Sequence, residues 1–294
     1  MDLFYFTVGI VVLLVSGDLL VRAATVLSLR LAVSPAVIGL TIVAFGTSAP
    51  ELLVGIRAAL DGFGGLVLGN IIGSNIANVL LILGFPALII NLDSQNESIR
   101  KNYLISFFAT ILFVFFVWFG TLTHLHGIIF LLIFFIFVIS NVFKANQTQR
   151  VRSNQLVKVQ PNKGTLFRTV GILLIGLVGL PFGANWVILG ATGIATVLGI
   201  SEEVIGLTLV ALGTSLPELS TSILSALRKE PELLMGSIIG SNIFNLLCIG
   251  GVTSIINPLN FFGVTKLESL FVLVAVTLIL APFIFLSRSI NKIW

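Results

Sequence analysis

Apolar residues run for roughly 20 positions or more at a time along this chain, without strict alternation, and short polar joints separate the runs. Such a run crosses about 30 Å of hydrocarbon as an α-helix, whereas barrel strands alternate over about ten residues. The pattern therefore predicts an all-α integral membrane protein of about nine transmembrane helices, at approximately 3–28, 35–60, 66–90, 99–119, 127–143, 167–197, 202–227, 233–256 and 266–288. Met1 to Leu27 is one apolar stretch without a basic leader or a small-residue cleavage site, and reads as a first span rather than a removable signal.

The pattern also repeats. "VIGLTIVAFGTSAPEL" (37–52) recurs as "VIGLTLVALGTSLPEL" (204–219), 167 residues later, and the same offset carries "GNIIGSNIANVL" (69–80) onto "GSIIGSNIFNLL" (236–247). The copies are five spans apart, so the second enters the membrane from the opposite side. Inverted repeats of this kind place a binding site near the midplane of secondary transporters. The expected organisation is a first repeat at 1–143, a polar linker at 144–166 and a second repeat at 167–294, with Glu51 and Glu218 face to face.

Within each motif, polar groups interrupt a span that should have none. Pro50 cannot donate a hydrogen bond to the Gly46 carbonyl, and its ring forces the preceding turn open, so carbonyls around Ala44 to Thr47 are expected to turn into the bundle. On helical spacing Ala44, Thr47, Ser48 and Glu51 share a face, as do Ala211, Thr214, Ser215 and Glu218. Ser74 with Asn78, and Ser241 with Asn245, add side-chain oxygens at i, i+4, while Gly73 and Gly240 permit close helix approach. Oxygen ligands with two carboxylates suit a hard cation, calcium or sodium. Asn75 and Asn242 are displaced around their helices and are expected to bond broken backbone instead of an ion.

Composition agrees with this solvent: 57% of residues are hydrophobic, 10% are charged, and mean hydropathy is +1.14. Six Lys or Arg and no acid lie between Lys144 and Arg168, which makes the linker cytoplasmic by charge bias and puts the N terminus outside and the C terminus inside. The net charge of +4 then faces anionic lipid, not nucleic acid. Asp18 and Arg22 form an i, i+4 pair in the first span, His124 and His126 sit in a short outer loop as solvated residues, and the single Cys248 is a buried thiol.

The paired "GTS-x-PE" segments, each followed by "GSNI-x-N", resemble the cation/calcium exchanger superfamily, and within it the prokaryotic sodium/calcium exchangers. The resemblance implies an antiporter, not an enzyme, that works by alternating access in a cell membrane, with no cofactor and with calcium and sodium, or protons in place of sodium, as the transported ions. It implies calcium on Glu51 and Glu218 with the Thr47 and Thr214 carbonyls. Flanking sodium ions would use Ala44, Ser48 and Ser74 on one side and Ala211, Ser215 and Ser241 on the other, with Asn78 and Asn245 at the middle. Spans one and six would slide across this core, singly or in a homo-oligomer. Two features depart from the family pattern. Position 245 is commonly aspartate there, and members usually have ten spans, whose last would fall beyond Trp294. An intramembrane hydrolase would also bring two carboxylates together, but the duplicated hydroxyl and amide oxygens argue against it; a cation channel would share the ligands, yet inverted repeats with a broken helix in each half favour two-state access over an open pore.

Overall fold

The computed structural model describes residues 1–31, 33–88, 97–153, 163–199, 211–260 and 265–285. The helices are α1 (Asp2–Arg30), α2 (Pro35–Thr47), α3 (Ala49–Leu60), α4 (Gly64–Ala87), α5 (Glu97–Phe119), α6 (His124–Ser153), α7 (Lys163–Val197), α8 (Ala211–Thr214), α9 (Leu216–Leu227), α10 (Pro231–Ile256) and α11 (Thr265–Phe285). Seven of these are long and apolar enough to cross a membrane singly, and α2 with α3 makes an eighth span bent by 45°. The expected seventh span is seen only as α8 and α9, because 200–210 lie outside the described residues. Most of the linker at 144–166 likewise carries no described side chain.

Large apolar side chains of α1, α5, α6, α7 and α11 face outward, among them Val15, Phe108, Phe135, Ile175 and Phe271. Helix α10 is the reverse, buried without interruption from Leu233 to Leu247. Helices that meet lipid gain no hydrophobic drive from association, so packing depends on close approach at small residues. Gly39, Gly236 and Gly240 let α2 and α10 touch backbone to backbone. A methyl group on Gly236 would run into the Ala36 carbonyl, and one on Gly240 would come 2.7 Å from the Ala44 Cβ. Gly240 thus gives the close approach expected of it. The segment corresponding to Leu40 in the other repeat, which Gly73 would face, lies outside the described residues.

Two apolar clusters divide the molecule. One joins Leu13, Leu20, Val21 and Leu27 of α1 to Leu173 and Leu180 of α7, reaching Ile38, Val43 and Leu233. The other fills the remainder, from Ile71 through Phe113, Phe130 and Ile243 to Leu270. Helices α1 and α7 run together along their length, with glycines at the seam: a Cβ on Gly9 would lie 2.6 Å from the Val187 nitrogen, and one on Gly176 2.8 Å from the Ser16 carbonyl oxygen. At 35 residues α7 is about 52 Å long, more than the hydrocarbon thickness, and must tilt or project.

Hydrogen bonds close both ends. On the linker side Asp18 holds Arg22 at 2.8 Å, as the spacing suggests, and also the Arg228 Nε at 2.5 Å. On the far side Leu122 and Leu259 exchange two backbone hydrogen bonds of 2.9 Å, and Thr121 bonds Asn260. His124, exposed as expected, is nevertheless engaged: its Nδ1 donates toward the Ser254 and Ile255 carbonyls at 3.1 and 3.0 Å. His126 stacks on Phe116 with ring centroids 4.2 Å apart. Sequence spacing gives no hint of either partner, because each lies on a different helix.

Because a Cβ at 236 meets backbone rather than a movable side chain, Gly236→Ala is expected to force α2 and α10 apart and lower the melting temperature in detergent by several degrees, about 2–4 °C per kcal/mol for a chain of this order. Gly65→Ala, with no described atom within 4 Å, is the control and should melt as the parent does.

Candidate functional site

The two motifs break their helices at the same residue. Ser48 (φ −84°, ψ 9°) and Ser215 (φ −88°, ψ 0°) interrupt the turn ahead of Pro50 and Pro217. A proline at the second position of a new helix costs nothing there, since its missing N–H would have had no partner. Each break therefore starts a helix whose first turn carries the glutamate, Glu51 in α3 and Glu218 in α9. The positive end of each helix dipole thus faces its own carboxylate. The Ala44 carbonyl is not released by the break, as it still accepts the Ser48 N–H at 3.0 Å and the Thr47 hydroxyl at 3.3 Å. Pro50 withholds the N–H that a regular helix would offer to Gly46 instead.

The breaks cross. Ser48 donates to Glu218 Oε1 at 2.7 Å and lies 3.0 Å from the Ser241 hydroxyl. Thr47 reaches the same carboxylate, and reciprocally Thr214 and Ser215 of the second repeat hydrogen-bond Glu51. Each glutamate is therefore held by hydroxyls of the opposite repeat, an arrangement that requires the two inverted copies to interlock. Glu51 and Glu218 are 1% and 5% exposed, with no Lys, Arg or His paired to either among the described residues. A charge at mid-membrane costs roughly 2.5 kcal/mol or more on insertion scales. Two uncompensated ones, close enough to repel, call for a cation.

The unpartnered atoms fit that demand. Glu51 Oε2, Glu218 Oε2, Asn75 Oδ1 and Asn245 Oδ1 are buried without a hydrogen-bond donor among the described residues. All four are oxygens, the donor set of a hard cation. Ala44, Thr47, Ser48, Ser74, Asn78, Ser215, Ser241 and Asn245 are buried as expected, Thr214 is half-buried, and Ala211 opens α8.

Three features were not legible beforehand. Asn78 and Asn245 each lie in a π-helical turn, Asn78–Leu83 and Phe244–Ile249, and a third such turn, Gly39–Val43, precedes the first break. These wide turns rotate the side chains that follow them and are frequent at functional sites. Asn70 places its amide 3.5 Å from the Glu51 carbonyl and from the Ser74 hydroxyl, continuing the i, i+4 row of Ser74 and Asn78 by one turn. Asn75 bonds backbone as expected, at 2.7 Å to the Ile71 carbonyl, in a regular turn. Asn242 does not: it accepts the Asn78 amide at 2.9 Å across the repeats. Displacement around α10 does not remove it from the interior, since that helix is buried on every face from Leu233 to Leu247.

A family model described as "Sodium/calcium exchanger protein" matches residues 1–143 and 168–293. The putative antiporter CaxA of Alkalimonas amylolytica is 38% identical over 254 residues, 85% of this chain and 79% of the relative. The sodium/calcium exchanger MaX1 of Methanosarcina acetivorans is 31% identical over 311 residues, 94% of this chain and 89% of the relative. Among solved structures, the sodium-calcium exchanger NCX_Mj soaked with sodium and strontium superposes with a TM-score of 0.86 at 32% identity, covering 99% of this chain and 92% of that one.

Opposed carboxylates without a basic partner repel, so Glu51→Gln is expected to raise the melting temperature of the protein in sodium- and calcium-free choline buffer by at least 2 °C, roughly 0.5–1 kcal/mol or more. An unchanged or lower value would show that the pair is not strained without an ion.

Proposed function

The chain belongs to the sodium/calcium exchanger family, and from that premise we propose that it exchanges calcium for sodium across a cell membrane by alternating access. One observation carries the proposal: two buried carboxylates face each other across interlocked repeats, each left with a donorless oxygen and neither with a basic partner among the described residues. Calcium bridges Glu51 and Glu218, with the Thr47 and Thr214 carbonyls beside them. Sodium ions occupy the flanks, at Ala44, Ser48 and Ser74 and at Ala211, Ser215 and Ser241, with Asn78 and Asn245 between.

Hydroxyls that bond carboxylates in the ion-free form exchange those bonds for the cation when it enters, so little polar surface is stranded in either state. Alternating access is supported by the division into two bodies. The α1–α7 pair meets the core on the linker side of the site, where Ser220 donates to the Leu13 carbonyl at 3.0 Å and Asp18 holds Arg228. The inverted counterpart, α7 along α3, lacks comparable packing among the described residues. One side of the site is therefore sealed more firmly than the other, as a two-state carrier requires and a continuous pore does not. The linker and Arg30, Arg100 and Arg228 share one end, which charge bias assigns to the cytoplasm, leaving the N terminus outside. Proton coupling in place of sodium is the alternative that the two glutamates leave open.

In proteoliposomes, calcium uptake should follow an outward sodium gradient, and Glu51→Gln or Glu218→Gln should reduce it at least a hundredfold while the protein elutes as a folded species. Near-normal exchange in both variants would defeat the assignment. Uptake driven by protons alone would select the alternative. With Asn at both 78 and 245 the site carries two formal negative charges, balanced by one calcium or two sodium ions, so Asn245→Asp is expected to alter the charge moved per calcium. Identical charge movement in the two forms would show that position 245 does not set the coupling.

A further inference from the structure

An asparagine side chain offers a cation site an oxygen on one side and an NH2 on the other, and only one orientation attracts the ion. In open solvent the amide turns freely. At a buried site something must hold it. Asn78, 1% exposed, donates its Nδ2 to Asn242 Oδ1 at 2.9 Å, and this bond crosses from one repeat to the other. Because the amide is planar, fixing the nitrogen toward Asn242 turns the Asn78 oxygen the opposite way. Asn242 is flanked on its own helix by Ser241, which contacts Ser48, and by Asn245 three residues on.

We propose that Asn242 is a positioning residue for the ion site: it orients the Asn78 amide so that the oxygen, not the nitrogen, faces the transported cation. This rests on the antiporter assignment above and adds a residue outside the ligand set proposed there. The inverted counterpart would be Asn245 donating to Asn75, and it is not formed. Asn75 spends its Nδ2 on the Ile71 carbonyl, and both Asn75 Oδ1 and Asn245 Oδ1 are buried without a donor among the described residues. One amide of the site is therefore preset and its pseudo-symmetric mate is not, which makes positions 78 and 245 unequal although both are Asn. A preset ligand loses less freedom on binding than one that must be ordered by the ion, so loss of the clamp should weaken binding more than turnover.

The test is the calcium dependence of sodium-driven uptake in proteoliposomes for the parent, Asn242→Ala, Asn242→Asp, Asn78→Ala and the double alanine variant. Asn242→Ala should raise the KM for calcium fivefold or more with the maximal rate within twofold. Asn242→Asp keeps an oxygen for the Asn78 N–H and should leave the KM no more than twofold above the parent. The double variant should be no worse than Asn78→Ala alone, since no amide then remains to be oriented. Where Asn242→Ala does not fold, Asn242→Ser, whose hydroxyl can bond its own helix but not reach Asn78, should show the same rise in KM. A parental KM in the alanine or serine variant, or penalties that multiply in the double variant, would overturn the positioning role while leaving the antiporter standing. Absence of gradient-driven flux in the parent would overturn both.

Discussion

Two glutamates buried opposite each other, with hydroxyls and amides around them and no basic side chain between them among the described residues, are the constraint from which the remaining structure follows. Carboxylates in that setting must be supplied with donors or with a cation, and a regular helix supplies neither, because its backbone is consumed internally. Each motif solves this locally by breaking at Ser48 or Ser215, so that a new helix begins beneath the carboxylate. The hydroxyls of one motif then serve the glutamate of the other, as Ser48 serves Glu218. Neither half can complete its site alone. The fold is thus a dimer of motifs within one chain, and inversion of the copies brings the two breaks to the same depth.

Close backbone contact is the second requirement, since hydroxyl groups are short. Gly236 and Gly240 bring α10 against α2 until carbonyls touch what would be Cβ positions. Burial of α10 from Leu233 to Leu247 is the outcome: the stretch that carries Ser241, Asn242 and Asn245 is enclosed by protein on every side. Such a helix can place polar residues all round, and the usual distinction between a lipid face and a working face does not apply to it.

This explains what could be read from the chain and what could not. The broken helices, the opposed glutamates and the hydroxyl ladders were legible because proline chemistry, helical spacing and an offset held over two motifs are properties of sequence. The partnership of Arg228 with Asp18, the anchoring of His124 on carbonyls 130 residues away and the bond from Asn78 to Asn242 were not, since each joins segments whose separation carries no period. The π-helical turns were hidden for another reason: nothing in "NVLLIL" or "FNLLCI" distinguishes them from ordinary apolar helix, and they arise from the fit of one helix to its neighbours.

The paired backbone bonds between Leu122 and Leu259, with Asn257 donating to the Ala59 carbonyl at 3.2 Å, tie loops from both halves into one rim. A rim braced in this way resists splaying of the helices beneath it, so in the proposed cycle the larger cluster would act as a stator. Displacement would then be left to the α1–α7 pair, which has its own apolar filling and could travel without opening the packed interior. On that proposal the cost of each cycle would be set at a sliding seam between two packed parts, and not by partial unfolding of the helices that carry the two glutamates.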